Sequence, residues 1–291
     1  MLVCREVWDD SHLNANQEGG RMKNYLIGGI ALLTLCAAPA MAADMPVKAM
    51  PAPAPVASWT GFYIGINGGG AWGSVDPSVR DIGPDSFFAG ANVPAVTTNG
   101  SQSFNMSGGL AGGQIGYLFQ AGRAILGVEA SFDWTNLGGT AANGPTVYPV
   151  TPPTTFSWNL RGSSDFMATF LGRIGFDMGQ WYPYLTGGAA VARLKYTASY
   201  IDTFYPSISN NAFASTQVGW VVGGGAEWRV TQNWMLRGEY LHTEFDGFGG
   251  NGRIVCTTGV GNCVGAGFST TFAFNQKFKE DLGRILLSYR F

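Results

Sequence analysis

Six charged residues have the types and placement to do chemistry: Glu129, Arg173, Glu227, Arg237, Glu239 and Arg284. Each stands on the polar side of a stretch that alternates apolar and polar with a period of two. Acids and bases brought into one confined space should pair, because an isolated buried charge costs far more than a paired one. Such a set reads as a network that fixes and fills an interior. The alternative is a charged ring that selects ions in a narrow pore. His242 is the second candidate, followed by Thr243 and Glu244. A lipid-modifying hydrolase would need a Ser–His pair, and no Ser stands at a short even spacing from it, so the residue reads as a histidine near a membrane rim. Cys256 and Cys263 lie seven apart in a Gly-rich segment. In an exported chain they suggest a small disulfide loop. Two free thiols are the alternative, and a zinc site would lack ligands. Gly68-x-Gly70-x-x-Gly73 matches a dinucleotide fingerprint. That reading needs a helix next, yet Ser74-Val75-Asp76-Pro77 follows. Glycine on the wall of a sheet explains it better. No catalytic, metal or cofactor-binding set emerges.

The elements that must hold these residues are strands. Leu126–Trp134 alternates most clearly, with Leu126, Val128, Ala130, Phe132 and Trp134 against Gly127, Glu129, Ser131 and Asp133. The same period runs through 59–73, 168–177, 218–229, 234–244 and 283–291. Two further strands, near 110–120 and 182–196, are blurred by Gly and Ala, which makes eight. Short turns fall at 120–123, 178–180 and 231–233. Long connections rich in Gly, Pro, Ser, Thr and Asn run roughly over 74–102, 138–164, 199–215 and 246–275. Short turns at one end and long loops at the other are the plan of an outer-membrane barrel. Leu171-Gly172-Arg173-Ile174 recurs as Leu282-Gly283-Arg284-Ile285, a weak repetition that suits hairpins stacked around a ring. The expected fold is therefore all-β: an eight-stranded antiparallel up-and-down transmembrane β-barrel over 58–291, with short periplasmic turns and four long extracellular loops.

The composition agrees. Charged residues are 12% of the 291-residue chain and Gly is 43 residues, where an average domain has roughly 25% charge. A soluble sandwich has too little charge here to build its surface. A membrane barrel needs no charged outer wall, because its apolar face meets lipid. With a net charge of −2 there is no basic excess for nucleic acid. Ahead of the barrel, 1–21 reads as an extension from an upstream start codon. Residues 22–42 read as a signal peptide, with Lys23, the apolar run Tyr25–Cys36, and a cleavage site at Ala40-Met41-Ala42. A Pro/Ala-rich linker covers 43–57. The chain ends at Phe291, in register with Ile285, Leu287 and Tyr289. That terminus reads as the closing strand and the signal for barrel assembly.

Several segments carry a family resemblance. Trp59-Thr60-Gly61-Phe62-Tyr63-Ile64-Gly65 resembles the first strand of alphaproteobacterial outer-membrane barrels, surface antigens that include immunogenic and hemin-binding outer-membrane proteins. Pro183-Tyr184-Leu185-Thr186-Gly187-Gly188-Ala189-Ala190 is similar to that family's fifth strand. Gly219–Trp228, with Asn233-Trp234 and Glu239-Tyr240-Leu241, is similar to its sixth and seventh strands, and Tyr289-Arg290-Phe291 to its end. The matches span most of 59–291; the Cys-bearing fourth loop departs from the pattern. The resemblance implies an OmpA-type barrel, non-enzymatic and without a resident cofactor, in the outer membrane of a Gram-negative cell. Its expected role is structural and interfacial: envelope integrity, surface antigen, loop-mediated interaction. The alternatives are a small-solute porin and a hemin or ligand receptor, for which the resemblance makes His242 the candidate axial ligand. Expected partners are outer-membrane lipid and lipopolysaccharide, the barrel-assembly machinery, and host or environmental ligands reached by the loops.

Overall fold

The computed structural model describes residues 58–83, 86–88, 90–204, 207–256 and 268–291. The expectations for 1–21, 22–42 and 43–57, and for Cys263, lie outside them. Eight antiparallel strands form a closed ring in sequence order: β1 (Gly61–Asp81), β2 (Phe104–Ala121), β3 (Ala124–Val147), β4 (Thr155–Phe176), β5 (Trp181–Asp202), β6 (Ser207–Arg229), β7 (Trp234–Val255) and β8 (Ser269–Arg290). β1 and β8 close it, paired from Tyr63–Arg290 to Asp81–Phe272.

The register sets the dimensions. Stepping between paired residues from Gly65, the path runs through Gln114, Ser131, Thr169, Ala190, Gly219, Phe245 and Phe278. It returns at Val75, ten residues further along β1. Eight strands with that shear tilt by about 41° and stand on a radius of about 8 Å, taking about 3.3 Å per residue and about 4.8 Å between strands. The outward apolar face runs from Phe62 to Trp72 on β1 and from Trp181 to Val191 on β5. At that tilt each run covers about 25 Å along the barrel axis, the height of a membrane band. Aromatics close the band below, with Trp181, Trp228, Trp234, Tyr289 and Phe291. Trp72, Trp134, Trp220 and Tyr240 close it above.

Much of what composition suggested was loop is wall. The ranges 138–164, 199–215 and 246–275 are mostly strand, and β1 continues to Asp81. Above the band the pattern inverts. Trp158, Tyr196, Tyr200, Phe272, Phe274 and Phe278 turn inward and pack together, while Ser, Thr, Asn and Gly face water. These stretches are a soluble sheet carried on top of a membrane sheet. Their period-two signal has the polarity opposite to the lipid band, and their Gly- and Asn-rich outer face mimics loop composition. The first connection also contains a helix, α1 (Val93–Gly100), that the sequence reading did not expect. It seats Val96 in the upper mouth, where the Trp158 indole N–H donates to the Val96 carbonyl at 3.0 Å. The glycine fingerprint lies within β1, so no helix follows it and no phosphate cradle forms.

Close packing needs glycine at specific wall positions. A Cβ on Gly116 would stand 2.3 Å from the Tyr63 hydroxyl oxygen, and one on Gly225 2.7 Å from that of Tyr184. The bare backbone thus lets two tyrosines lie flat against the inner wall.

At the periplasmic end Trp59 is fully buried beneath the ring, edge-on to Tyr182 at 4.6 Å. The Arg229 guanidinium sits 4.0 Å from its ring centre. Asp177, in the β4–β5 turn, ties this lid down. It accepts from the Trp59 indole N–H at 3.0 Å, the Gln120 amide at 2.8 Å and the Gly179 backbone N–H at 2.8 Å. Partial burial pushes the Asp177 carboxyl up, but these donors and the Arg229 charge outweigh it, so its pKa lies below the usual carboxylate value. A carboxyl whose folded pKa is depressed adds stability that is present above its unfolded pKa and lost as pH falls through the folded one. The urea midpoint of vesicle-embedded protein should therefore drop as pH falls from about 5 to about 2. Asp177→Asn should lower the midpoint at neutral pH and flatten that acid drop; an equally steep drop in the variant would refute the role given to Asp177.

Candidate functional site

The inward positions of the middle storey hold the charges. Glu129 is on β3, Arg173 on β4, Glu227 on β6, Arg237 and Glu239 on β7, and Arg284 on β8, and the side chains of all six are buried. Each strand alternates, so the register that turns Leu126, Ile174 and Ile285 to lipid turns Glu129, Arg173 and Arg284 to the lumen.

The structure brings the six into one cluster. Glu129 Oε2 is its centre. It accepts from the Tyr63 hydroxyl at 2.6 Å, Arg173 Nη2 at 2.7 Å and Arg237 Nη2 at 2.6 Å. Arg173 Nη1 reaches Glu227 Oε2 at 3.3 Å, and the Tyr182 hydroxyl donates to the same oxygen at 2.6 Å. Glu239 Oε2 accepts from the Tyr184 hydroxyl at 2.6 Å, while its Oε1 accepts from Arg284 Nε at 2.8 Å. Arg284 Nη1 donates on to Asp133 at 2.8 Å and Ser131 at 3.2 Å. The Arg173 guanidinium also stacks over Tyr184, 4.4 Å from the ring centre, a favourable cation–π contact where water is excluded. Four carboxyls thus meet three guanidiniums and three phenolic hydroxyls drawn from seven of the eight strands, all but β2.

Sequence reasoning did not assign Asp133, Tyr63, Tyr182 or Tyr184 to this cluster. The signal was parity. Tyr63 stands opposite Phe62 and Ile64, Asp133 shares a face with Glu129, and Tyr182 and Tyr184 alternate with the outward Trp181 and Leu185. An aromatic near a membrane rim reads first as a girdle residue, and parity alone separates a girdle tyrosine from a lumen donor.

His242 is elsewhere. It points outward from β7 at the top of the apolar band, its ring 5.5 Å from that of Trp220. Nδ1 lies 2.7 Å from Asp281 Oδ1 and Nε2 3.6 Å from Glu244 Oε1. The Tyr240 hydroxyl donates to the same Asp281 oxygen at 2.6 Å. Both ring nitrogens therefore face carboxylates on the outer wall. Cys256 follows β7 and is disulfide-bonded; Cys263 falls outside the described residues. The Phe291 backbone N–H donates to the Phe62 carbonyl at 3.0 Å, which sets the chain end beside β1 in the lower girdle.

A closed eight-stranded ring with an apolar belt and a charged interior defines the class of outer-membrane β-barrels. Residues 28–272 match the family model of the outer membrane protein beta-barrel domain, and the chain belongs to that family. It is 32% identical to the 31 kDa outer-membrane immunogenic protein of Brucella melitensis, over 77% of this chain and 87% of that one. It is 27% identical to a 22 kDa outer membrane protein of Rhizobium leguminosarum bv. viciae, covering 70% of each. Among solved structures, the outer membrane protein OprG of Pseudomonas aeruginosa matches with 12% identity, 80% of this chain, 96% of that chain and a TM-score of 0.41. The chain is an outer-membrane barrel protein that shares its family with these alphaproteobacterial relatives.

Removing one member of a buried ion cluster strands its partners in a dry site. Arg173→Ala leaves Glu227 with no cation and Glu129 with one fewer, and should lower unfolding free energy by about 3–5 kcal/mol. Tyr63→Phe removes a single donor and should cost about 1–3 kcal/mol. Urea titration of vesicle-embedded protein reads both, and equal losses would contradict the role of Arg173 as the cation shared by Glu129 and Glu227.

Proposed function

We propose that this protein is a non-enzymatic structural barrel that adds to the integrity of the outer membrane and holds its upper rim out to the surroundings as a surface antigen. The observation that carries the reading is the filled lumen. Trp59 and Tyr182 cover its lower end, the ion cluster fills its middle, and α1 with Trp158 and Tyr200 occupies its upper mouth. The mutual pairing within the ion cluster serves rigidity. The immunogenic naming of the Brucella relative supports exposure of the upper storey. Outer-leaflet lipid is the partner of the apolar belt, and the Phe291 terminus, lying beside β1, is the segment offered to the barrel-assembly machinery. On the outer wall, His242 engages Asp281 and Glu244 rather than a serine hydroxyl, in keeping with a role at the headgroup level rather than in hydrolysis.

Deleting the gene should raise sensitivity to bile salts and large hydrophobic antibiotics while leaving uptake of small sugars unchanged. Complementation with His242→Ala should restore resistance fully, and Arg173→Ala only in proportion to the folded barrel it delivers. Slowed sugar uptake without a change in detergent sensitivity would instead mark a transport protein.

A further inference from the structure

Above the apolar band, the described residues of the outer wall carry charge in two sectors. On β7, β8 and β1 the charges balance: Arg80, Arg253, Lys277 and Lys279 stand with Asp76, Glu244, Asp246 and Asp281. On the opposite side, β4 and β5 carry Arg161, Arg193 and Lys195 with Asp165 alone. That sector holds a net charge of +2 on a face that, at its foot, enters lipid.

The backbone there is shaped as well as charged. β3 shifts register between Trp134 and Leu137, and β4 between Ser164 and Met167. The two irregularities lie side by side and open a groove of about 540 Å³ on the outer wall. Asn136, Ser163 and Thr197 line it with hydrogen-bonding groups, Arg161, Lys195 and the Asp165 carboxylate line it with charge, and Arg193 stands at its edge beside Asp165. Asp165 stands 2.5 Å from Lys195 Nζ and 4.0 Å from Arg193 Nε, which holds two cations together with one carboxylate between them. Arg161 has no ion pair among the described residues. Directly below the groove, Phe132 stacks on Phe166 at 5.5 Å and meets Trp134 edge-on at 4.9 Å. Reading downward, the wall presents cations, then hydroxyls and amides, then aromatic rings, then aliphatic surface.

We propose that this groove binds the phosphorylated sugar head group of an outer-leaflet glycolipid. Its phosphate lies among Arg161, Arg193 and Lys195, where charge-assisted hydrogen bonds to an oxyanion are strong. Its sugar hydroxyls meet Asn136, Ser163 and Thr197, and its acyl chains descend over Trp134, Phe132 and Phe166. The proposal rests on the outer-membrane placement. It goes beyond that placement by fixing the side of the barrel and the residues that take the anion.

The test uses the folded protein in neutral phosphatidylcholine nanodiscs, titrated with bisphosphorylated lipid A and followed by native mass spectrometry. Dephosphorylated lipid A and inorganic phosphate are the comparison ligands. Arg161→Gln/Arg193→Gln/Lys195→Gln should weaken lipid A binding about tenfold. Lys277→Gln/Lys279→Gln, which removes charge from the opposite sector, should change it less than about twofold. Arg161→Gln alone, an exposed change, should weaken it about threefold and keeps the test open where the triple variant folds poorly. Dephosphorylated lipid and free phosphate should each bind at least about tenfold more weakly than lipid A. Equal losses in the two sectors, unchanged binding in the triple and single variants, or equal binding of the dephosphorylated lipid would overturn the assignment. Heat-dependent gel mobility checks each variant's folding separately, so loss of the barrel is not mistaken for loss of the site.

Discussion

The contact on which the rest depends is the three-way convergence on Glu129 Oε2 of Tyr63, Arg173 and Arg237. It joins β1, β3, β4 and β7 through one atom. Ring closure leaves a lumen of about 8 Å radius to the backbone, too narrow for arginine side chains to avoid one another. They must be neutralised locally, and the carboxylates of β3, β6 and β7 arrive at the right height to do so. Replacing a buried ion cluster by fitted apolar side chains is often neutral or stabilising, so stability alone does not explain it. Register does. A one-residue slip of β4 or β7 would turn Arg173 or Arg237 to lipid, at a cost of about 2–4 kcal/mol each near the bilayer midplane. The cluster therefore selects one pairing among the many that Gly-rich strands could otherwise adopt.

The barrel changes polarity with height. Its lower end is apolar inside, with Trp59, Tyr63, Leu118 and Tyr182 packed together. The middle is ionic inside and apolar outside. The upper storey returns to the pattern of a soluble sheet, aromatic within and polar without. One continuous strand such as β5 passes through all three regimes, carrying Tyr182, Thr186 and Tyr196 inward at successive levels. The outer wall follows the same layering, since Arg193 and Lys195 begin where the apolar run of β5 ends at Val191.

This layering explains which parts were legible from sequence. The lipid-spanning segments showed because apolar and polar residues alternate there without interruption, as in Leu126–Trp134. The six lumen charges followed from parity on those segments. The upper strands were obscured because their outward residues are Asn, Ser, Thr and Gly, the vocabulary of loops, and because the aromatic face had changed sides. Register shifts after Trp134, Asn143, Ser164 and Phe245 further break the count of two. α1 was hidden for a different reason. Its eight residues, VPAVTTNG, have no strong helical period, and it is held by Trp158 and the barrel mouth rather than by its own propensity. Asp133 and the lumen tyrosines stood on the right faces, but their assignment needed the ring to bring distant strands together.

The central claim is that the lumen is closed by its own side chains. Recording from purified wild-type protein in planar bilayers tests it most directly. The filled lumen predicts no stable unitary conductance at moderate voltages, in salt high enough to reveal a narrow channel. Discrete, long-lived current steps that persist in fully folded protein would contradict it.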